Sequence, residues 1–432
     1  MEKDSIAITN GRILDPAQGL DIEGNLLIEN GRIKAITPLS QAVIANDYAQ
    51  TIDAKGCYVL PGLIDPHVHL REPGQEYKET IETGTRAAIQ GGFTTVACMA
   101  NTNPVNDNPY VTAYIREKAK STGHCEVIPV GAVSKGLKGI ELAEIGGMIA
   151  EGARAISDDG IPVMNSYLMR KALDYSKAFD VPVITHAEDH HLVGQGVMTE
   201  GALSNELGLR GIPRAAEEIL VARDIALVRL TGARLHIAHV STREAIEHIR
   251  RAKEDGLPVT AEVTPHHLFL TADLIRTYDT RFKMAPPLRE QEDAEALRQA
   301  LSNGVLDMIA SDHAPHGLVD KAVEFDRAAC GVVGLETSAA VTFRLVQDQT
   351  LGLMRWVESL TLAPARLLKL DAGTLKTGAA ADVCVFNPKS LWNLDTEHLA
   401  SKSRNSPFLG RSLQGRVRAT IVRGRVSWIL ET

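Results

Sequence analysis

Two histidines, His67 and His69, stand two residues apart at the end of an apolar run, in Asp65-Pro66-His67-Val68-His69. In an extended strand, residues i and i+2 project to the same face, so both imidazoles can grip one ion. Further donors recur at the ends of later apolar runs: Asp158 and Asp159 before Gly160, then His186, His239 and Asp312. Neutral imidazole nitrogen and carboxylate oxygen are donors that suit Zn²⁺. Each has an ordinary reading when taken alone. A His-x-His pair is often just half-buried, Asp-Asp-Gly makes a turn, a single histidine is a satisfied core residue, and an aspartate after Ser311 caps a helix. His190, His191, His236, His248 and His398 keep the ordinary reading. The other donors share one placement, the same end of consecutive predicted strands, and that joint placement points to a metal centre.

The elements that must position these donors lie between about Pro61 and Leu368. Strand-like runs are expected at residues 62–67, 94–99, 126–130, 153–157, 182–186, 234–239, 259–263 and 307–311. Amphipathic stretches lie between them, at 80–90, 169–178, 214–230 and 243–253 among others. Strands alternating with helices argue for a parallel sheet covered by helices. Eight such units predict an α/β fold of the (β/α)8 TIM-barrel type, with its chemistry at the C-terminal strand ends. The two ends of the chain read differently. Leu26 to Ile28 and Arg32 to Ile36 flank Asn30-Gly31, and Val417 to Val422 and Arg425 to Trp428 flank Arg423-Gly424, both as hairpins. Ser5 to Ile8 precedes Asn10-Gly11, a further turn signal, and Asp382 to Phe386 reads as another strand. The expected division is a catalytic barrel over 61–368 and a small β-sandwich built from 1–60 and 369–432.

Composition excludes several classes. The chain has 432 residues, 44% hydrophobic and 23% charged, as in ordinary globular proteins. Lys+Arg number 46 against Asp+Glu 54, a net charge of −8, so the basic excess of a nucleic-acid binder is missing. No apolar run is long enough to span a membrane, and MEKDSIAITNG has no apolar signal-peptide region. Cys57, Cys98, Cys125, Cys330 and Cys384 are scattered without a CxxC pair, which fits a reducing cytoplasm. Gly373 to Gly378 has the P-loop spacing, but Ala379-Ala380 follow where Lys-Ser/Thr is needed. There is no GxSxG elbow.

Around the donors the sequence resembles the cyclic amidohydrolases and, within them, the class I dihydroorotases. The resemblance is carried by His67-Val68-His69-Leu70-Arg71-Glu72-Pro73-Gly74, Asn101-Thr102-Asn103-Pro104, Ser157-Asp158-Asp159-Gly160, Asp312-His313-Ala314-Pro315-His316 and Gly334-Leu335-Glu336-Thr337, and covers essentially the whole chain. It implies reversible hydrolysis of dihydroorotate to N-carbamoyl-L-aspartate, with one or two Zn²⁺ held by His67, His69, Asp159, His186, His239 and Asp312. Many relatives bridge two metals with a carboxylated lysine on the fourth strand, but Gly152 to Pro162 contains no lysine. The bacterial class I members use an aspartate there, which matches Asp159 rather than Asp158. Arg71, Asn101 and His316 correspond to the family's contacts to the substrate carboxylate. Three positions depart from the pattern: Ala285 where asparagine is common, Cys330-Gly331 where Phe-Gly is common, and Ala100 where proline is usual. Ala285, Cys330 and Gly331 are expected beside the substrate.

The implied chemistry uses the metal to acidify water, Asp312 as general base, and the two parallel donors of Arg71 to pin a carboxylate. The rival readings are another cyclic amidase, hydantoinase or allantoinase, and a silent dihydroorotase-like scaffold for aspartate transcarbamoylase. The absent lysine with Arg71 and Asn101 opposes the first, and the complete histidine set opposes the second. Expected partners are the small-molecule substrate, further copies of the chain in a homo-oligomer, and aspartate transcarbamoylase.

Overall fold

The computed structural model describes residues 5–41 and 47–430. The first four residues of the N-terminal stretch therefore lie outside the described residues. Eight parallel strands run in chain order around a barrel: Leu63–Val68, Phe93–Cys98, Glu126–Ala132, Ala155–Ser157, Val183–Thr185, Leu235–Ile237, Val259–Val263 and Met308–Ile309. These are the eight expected runs. Their residues are almost all buried, as in a sheet covered on both faces.

Amphipathic helices supply the cover. In Arg243–Glu254 the buried positions are Ala245, Ile249 and Ala252, spaced four and three apart on one face. The Thr242 hydroxyl caps the helix by accepting from the Ala245 N–H. Thr80, Asn108 and Asn165 cap Ile81–Gln90, Pro109–Thr122 and Ser166–Lys177 in the same way. Inside the barrel, Ala97, Val130, Ala155, Ile184, Ala238 and Met308 pack with Leu367 and Leu368.

Four strands are shorter than expected: 153–157, 182–186, 234–239 and 307–311 become Ala155–Ser157, Val183–Thr185, Leu235–Ile237 and Met308–Ile309. His239 and Asp312 adopt left-handed backbone, with φ of 34° and 45°, which ends an extended strand. The eighth strand meets the first through side chains as much as through a ladder. The buried Asp65 carboxylate accepts from the Ser311 N–H at 3.2 Å, and the His69 N–H donates to the His313 carbonyl at 2.8 Å.

Strands from both ends of the chain share a second eight-stranded sheet. It contains Ser5–Asp15, Leu20–Glu29, Arg32–Pro38, Gln50–Asp53, Tyr58–Pro61, Val383–Asn393, Ser412–Val422 and Arg425–Ile429. Tyr58–Pro61 joins the halves, parallel to Ser5–Asp15 and antiparallel to Val383–Asn393. Ile6, Ile8, Leu26, Ile28, Val383, Val385 and Ile421 enclose this sheet's own core, while Leu14, Leu60, Phe386 and Val417 pack with the barrel's core. Both expected hairpins form, with left-handed Asn30-Gly31 and Arg423-Gly424 at their tips. Asn10-Gly11 does not turn the chain. It is a bulge within one continuous strand, because Ser5–Asp15 pairs with Leu20–Glu29 on both sides of it.

Candidate metal centre and carboxylate pocket

Each donor reaches the barrel mouth from a different strand end. His67 is fully buried at the end of the first strand and His69 follows it. Asp159 comes from the turn after the fourth strand, His186 from just past the fifth, His239 from two residues past the sixth, and Asp312 from past the eighth. All six are buried.

They converge on Asp159. Its Oδ1 lies 3.4 Å from His67 Nε2, 3.4 Å from His186 Nδ1 and 3.3 Å from His239 Nε2, and its Oδ2 lies 3.4 Å from His69 Nε2. Asp312 Oδ1 is 3.2 Å from His69 Nε2 and 3.7 Å from His67 Nε2. Two groups of donors result, His67 with Asp159 and His239, and His67 with His69 and Asp312. His186 Nδ1 and His239 Nε2 face each other at 2.9 Å, and His67 Nε2 is buried with no hydrogen bond. Converging lone pairs and an orphaned buried nitrogen are costly unless a cation fills the space between them. The residues present therefore fit a divalent metal ion.

The outer nitrogens of three of these rings are held by acceptors. His67 Nδ1 donates to Glu262 Oε1 at 2.6 Å, His69 Nδ1 to Asn101 Oδ1 at 2.8 Å, and His186 Nε2 lies 3.5 Å from Glu188 Oε2. Such partners fix the tautomer and aim the inner nitrogen at the metal. Glu262 also accepts from His236 Nε2 at 3.0 Å, so His236 supports the site from inside the barrel. Burial alone raises the Asp312 carboxyl, but the hydrogen bond from His69 and the charges around it hold it well below the usual range. Asp159 is likewise lowered by the imidazoles around it, against its burial.

Asp158 does not join the centre. Its Oδ1 accepts from the His186 N–H at 2.9 Å and its Oδ2 from the Val163 N–H at 2.7 Å, so it braces the loop instead. Glu262 and Glu188 were not among the expected site residues. The available signal was an acid inside the apolar run Val259–Val263, which cannot be buried without a partner.

Beside the donors lies a pocket with unspent positive charge. Arg71 is 7% exposed and has left-handed backbone, φ 63°. Its Nε donates to the Pro315 carbonyl at 3.1 Å and its Nη2 lies 3.3 Å from His316 Nε2. Among the described residues no carboxylate lies within ion-pair distance of it. The neighbouring acids are occupied elsewhere: Glu72 takes Lys118 and the Ile81 N–H, and Glu76 takes the Gly74 N–H. Asn101 spends its oxygen on His69, and its Nδ2 abuts Gly160. His316 is held neutral, its pKa pushed down to about 2 by burial and by the charge of Arg71.

Cys330 and Gly331 do reach this pocket. The Cys330 carbonyl lies 2.8 Å from His316 Nε2, and a Cβ on Gly331 would sit 2.8 Å from the Ala314 carbonyl oxygen. With φ of 137° as well, the position admits only glycine. Ala285 lies two residues from Lys283, whose carbonyl accepts from the Gly331 N–H at 3.0 Å. Arg71, His239 and Asp312 all hold left-handed backbone at this one mouth. Such strain costs roughly 1–3 kcal/mol per residue and gathers where function requires it. A cavity of about 600 Å³ lined by Arg116, Lys120, Arg154 and Arg423 contains none of the candidate residues.

Comparisons with known proteins give the family. A family model described as dihydro-orotase-like matches residues 56–245, and one described as an amidohydrolase family matches residues 230–427. The chain is similar to a dihydroorotase of Syntrophotalea carbinolica, 53% identical over 425 residues that cover 98% of this chain and 99% of the relative. It is 51% identical to a dihydroorotase of Geobacter metallireducens over 422 residues, 98% and 99% of the two chains. Among solved structures it resembles an L-hydantoinase (dihydropyrimidinase) of Arthrobacter aurescens, with a TM-score of 0.88, 26% identity, and coverage of 99% and 97%. A dihydropyrimidinase of Brevibacillus agri matches with a TM-score of 0.84, 26% identity, and coverage of 98% and 94%. With a histidine–aspartate centre at the barrel mouth and near-full-length identity of about half to these relatives, the chain belongs to the dihydroorotase family of the amidohydrolases.

Proposed function

We propose that the chain is a zinc-dependent dihydroorotase of class I, which interconverts dihydroorotate and N-carbamoyl-L-aspartate in pyrimidine synthesis. The observation that carries the reading is Arg71, a buried guanidinium with no carboxylate partner among the described residues. A charge so placed is costly until an anion reaches it. Dihydroorotate carries a ring carboxylate, whereas unsubstituted hydantoin and dihydrouracil do not. The hydantoinase reading, favoured by the structural neighbours, lacks the lysine that a carbamate bridge needs between Gly152 and Pro162.

His67, His69, Asp159, His186, His239 and Asp312 would hold a divalent cation, which would supply Lewis acidity for the ring carbonyl and lower the pKa of a water to about 7. Arg71 binds the ring carboxylate through its free Nη donors, with Asn101 Nδ2 beside it and His316 held against the guanidinium. This sets the ring carbonyl over the centre. Asp312, ionised at neutral pH, takes the proton of the attacking water on a carboxylate oxygen. As the ring C–N bond breaks, Asp312 returns that proton to the departing nitrogen, so the water's hydroxyl ends on carbon and its proton on nitrogen. Glu262 and Glu188 keep the imidazoles of His67 and His186 aimed throughout.

We assign the catalytic role to the barrel, 61–368, and the β-sandwich to 1–60 with 369–432. Five free cysteines support a cytoplasmic location, and among the described residues no helix is long and apolar enough to cross a membrane. The test is hydrolysis of dihydroorotate, dihydrouracil and hydantoin by one preparation, with metal analysis of the same sample. The expected result is bound zinc and a preference of at least tenfold for dihydroorotate. Equal turnover of the neutral rings overturns the reading.

A further inference from the structure

Residues 399–405 leave the sandwich sheet and lie against the barrel mouth. Leu399, Ser401, Ser403 and Asn405 are all buried. The segment holds the loop that follows Asp312 from both sides. On one side, Glu79 is gripped by the Ser401 hydroxyl and by the Lys402 N–H at 3.0 Å, and lies 3.3 Å from His313 Nε2. His313 Nδ1 accepts from the Gly334 N–H at 3.2 Å, so the proton sits on Nε2 and points at Glu79. On the other side, the Asn405 amide donates to the Ala314 carbonyl at 3.2 Å and to the Gly331 carbonyl at 3.0 Å. Its Oδ1 accepts from the His316 N–H at 3.2 Å.

We infer that Asn405 is a positioning residue for the substrate-carboxylate pocket, tying the His316 loop to the Cys330-Gly331 turn at the spacing that leaves Arg71 facing an open site. The inference rests on the dihydroorotase reading above. Its logic is a count of hydrogen-bonding groups. An asparagine side chain offers two N–H donors and an acceptor on one planar group, and here all three are spent on backbone groups of the two segments that frame Arg71 and His316. Apart from Asn405, the loop and the turn meet at the His313–Val332 bridge, with its Ala314 N–H to Val332 carbonyl bond, and where the His316 ring lies against the Cys330 carbonyl. Asn405 adds three bonds to these on the far side of the loop, and so fixes the pocket's width without touching the donors of the metal centre.

The test is steady-state kinetics of Asn405→Asp and Asn405→Ser, with bound metal and melting temperature measured on the same samples. Asn405→Asp keeps the acceptor for the His316 N–H and loses both donors, and Asn405→Ser retains at most one short donor. Rates are normalised to chains that carry metal, so partial unfolding does not mimic the effect. The expected result is a KM for dihydroorotate raised at least fivefold, with kcat within threefold and metal content unchanged. A KM within twofold of wild type in both variants, whatever the melting temperature, overturns the inference and leaves Asn405 as a structural peg. A fall in kcat at unchanged KM overturns it too. Absence of dihydroorotate turnover in the wild-type chain brings down the dihydroorotase reading itself, and this inference with it.

Discussion

Replacing Arg71 by methionine removes a charge while keeping the length and apolar stem of the side chain. The guanidinium already gives Nε to the Pro315 carbonyl and lies against His316. That leaves the remaining Nη donors for a substrate carboxylate. A charge-assisted hydrogen bond contributes about 1.5–3 kcal/mol net. Losing one such bond lowers kcat/KM by roughly 10- to 150-fold, at about 1.4 kcal/mol per factor of ten. The loss falls on dihydroorotate, and the residual turnover of neutral rings stays as it was. Stability moves differently. Because the buried guanidinium has no carboxylate partner among the described residues, removing it costs little and can stabilise the fold. The variant is therefore expected to bind metal normally and to melt at or above the wild-type temperature. The assay pairs hydrolysis of dihydroorotate with metal analysis and thermal denaturation. An Arg71→Met enzyme that keeps kcat/KM within threefold, with full metal, refutes the carboxylate anchor. A lowered melting temperature shows that the guanidinium serves the fold instead.

Asp312→Asn is expected to retain the fold and to lose about 10²–10⁴ in kcat, since an amide cannot carry the proton; near wild-type kcat removes Asp312 from the chemistry. Glu262→Gln weakens the grip on His67 Nδ1 and His236, and metal affinity is expected to fall by roughly 10- to 100-fold, read by chelator competition. Unchanged affinity means that the Glu262 contact does not aim His67. Because Asp159 lies among the imidazoles and no lysine occurs between Gly152 and Pro162, reconstitution of metal-free protein in CO2-free buffer is expected to restore full activity. A requirement for bicarbonate would place a carbamylated lysine in the site.

The donors themselves were legible because their spacing is local. His67 and His69 share a strand face by period two, and the loops after the fourth, fifth, sixth and eighth strands open at one end of a barrel whose strands all run parallel. The supports were hidden because their partners are remote in sequence. Glu262 lies 195 residues from His67, and Asn405 lies 89 residues from His316. No periodicity relates such pairs. The strand limits near His239 and Asp312 were also overextended, because a left-handed residue at a strained site leaves no mark in apolar patterning.

By itself, the sequence determined the barrel, the shared sheet of the two ends, and the six donors, since apolar periodicity and turn chemistry act over a few residues. The resemblance already points to Asp159 rather than Asp158, and the tertiary structure supplies the reason: Asp159 faces the imidazoles, while Asp158 is spent on the His186 and Val163 N–H groups. Only the tertiary structure decided that Arg71 is left without a carboxylate, while Glu72 and Glu76, near it in sequence, are spent on Lys118 and on backbone N–H groups. Charge pairing is settled by distance in space, and around Arg71 that distance is set by loops some 245 residues apart in sequence.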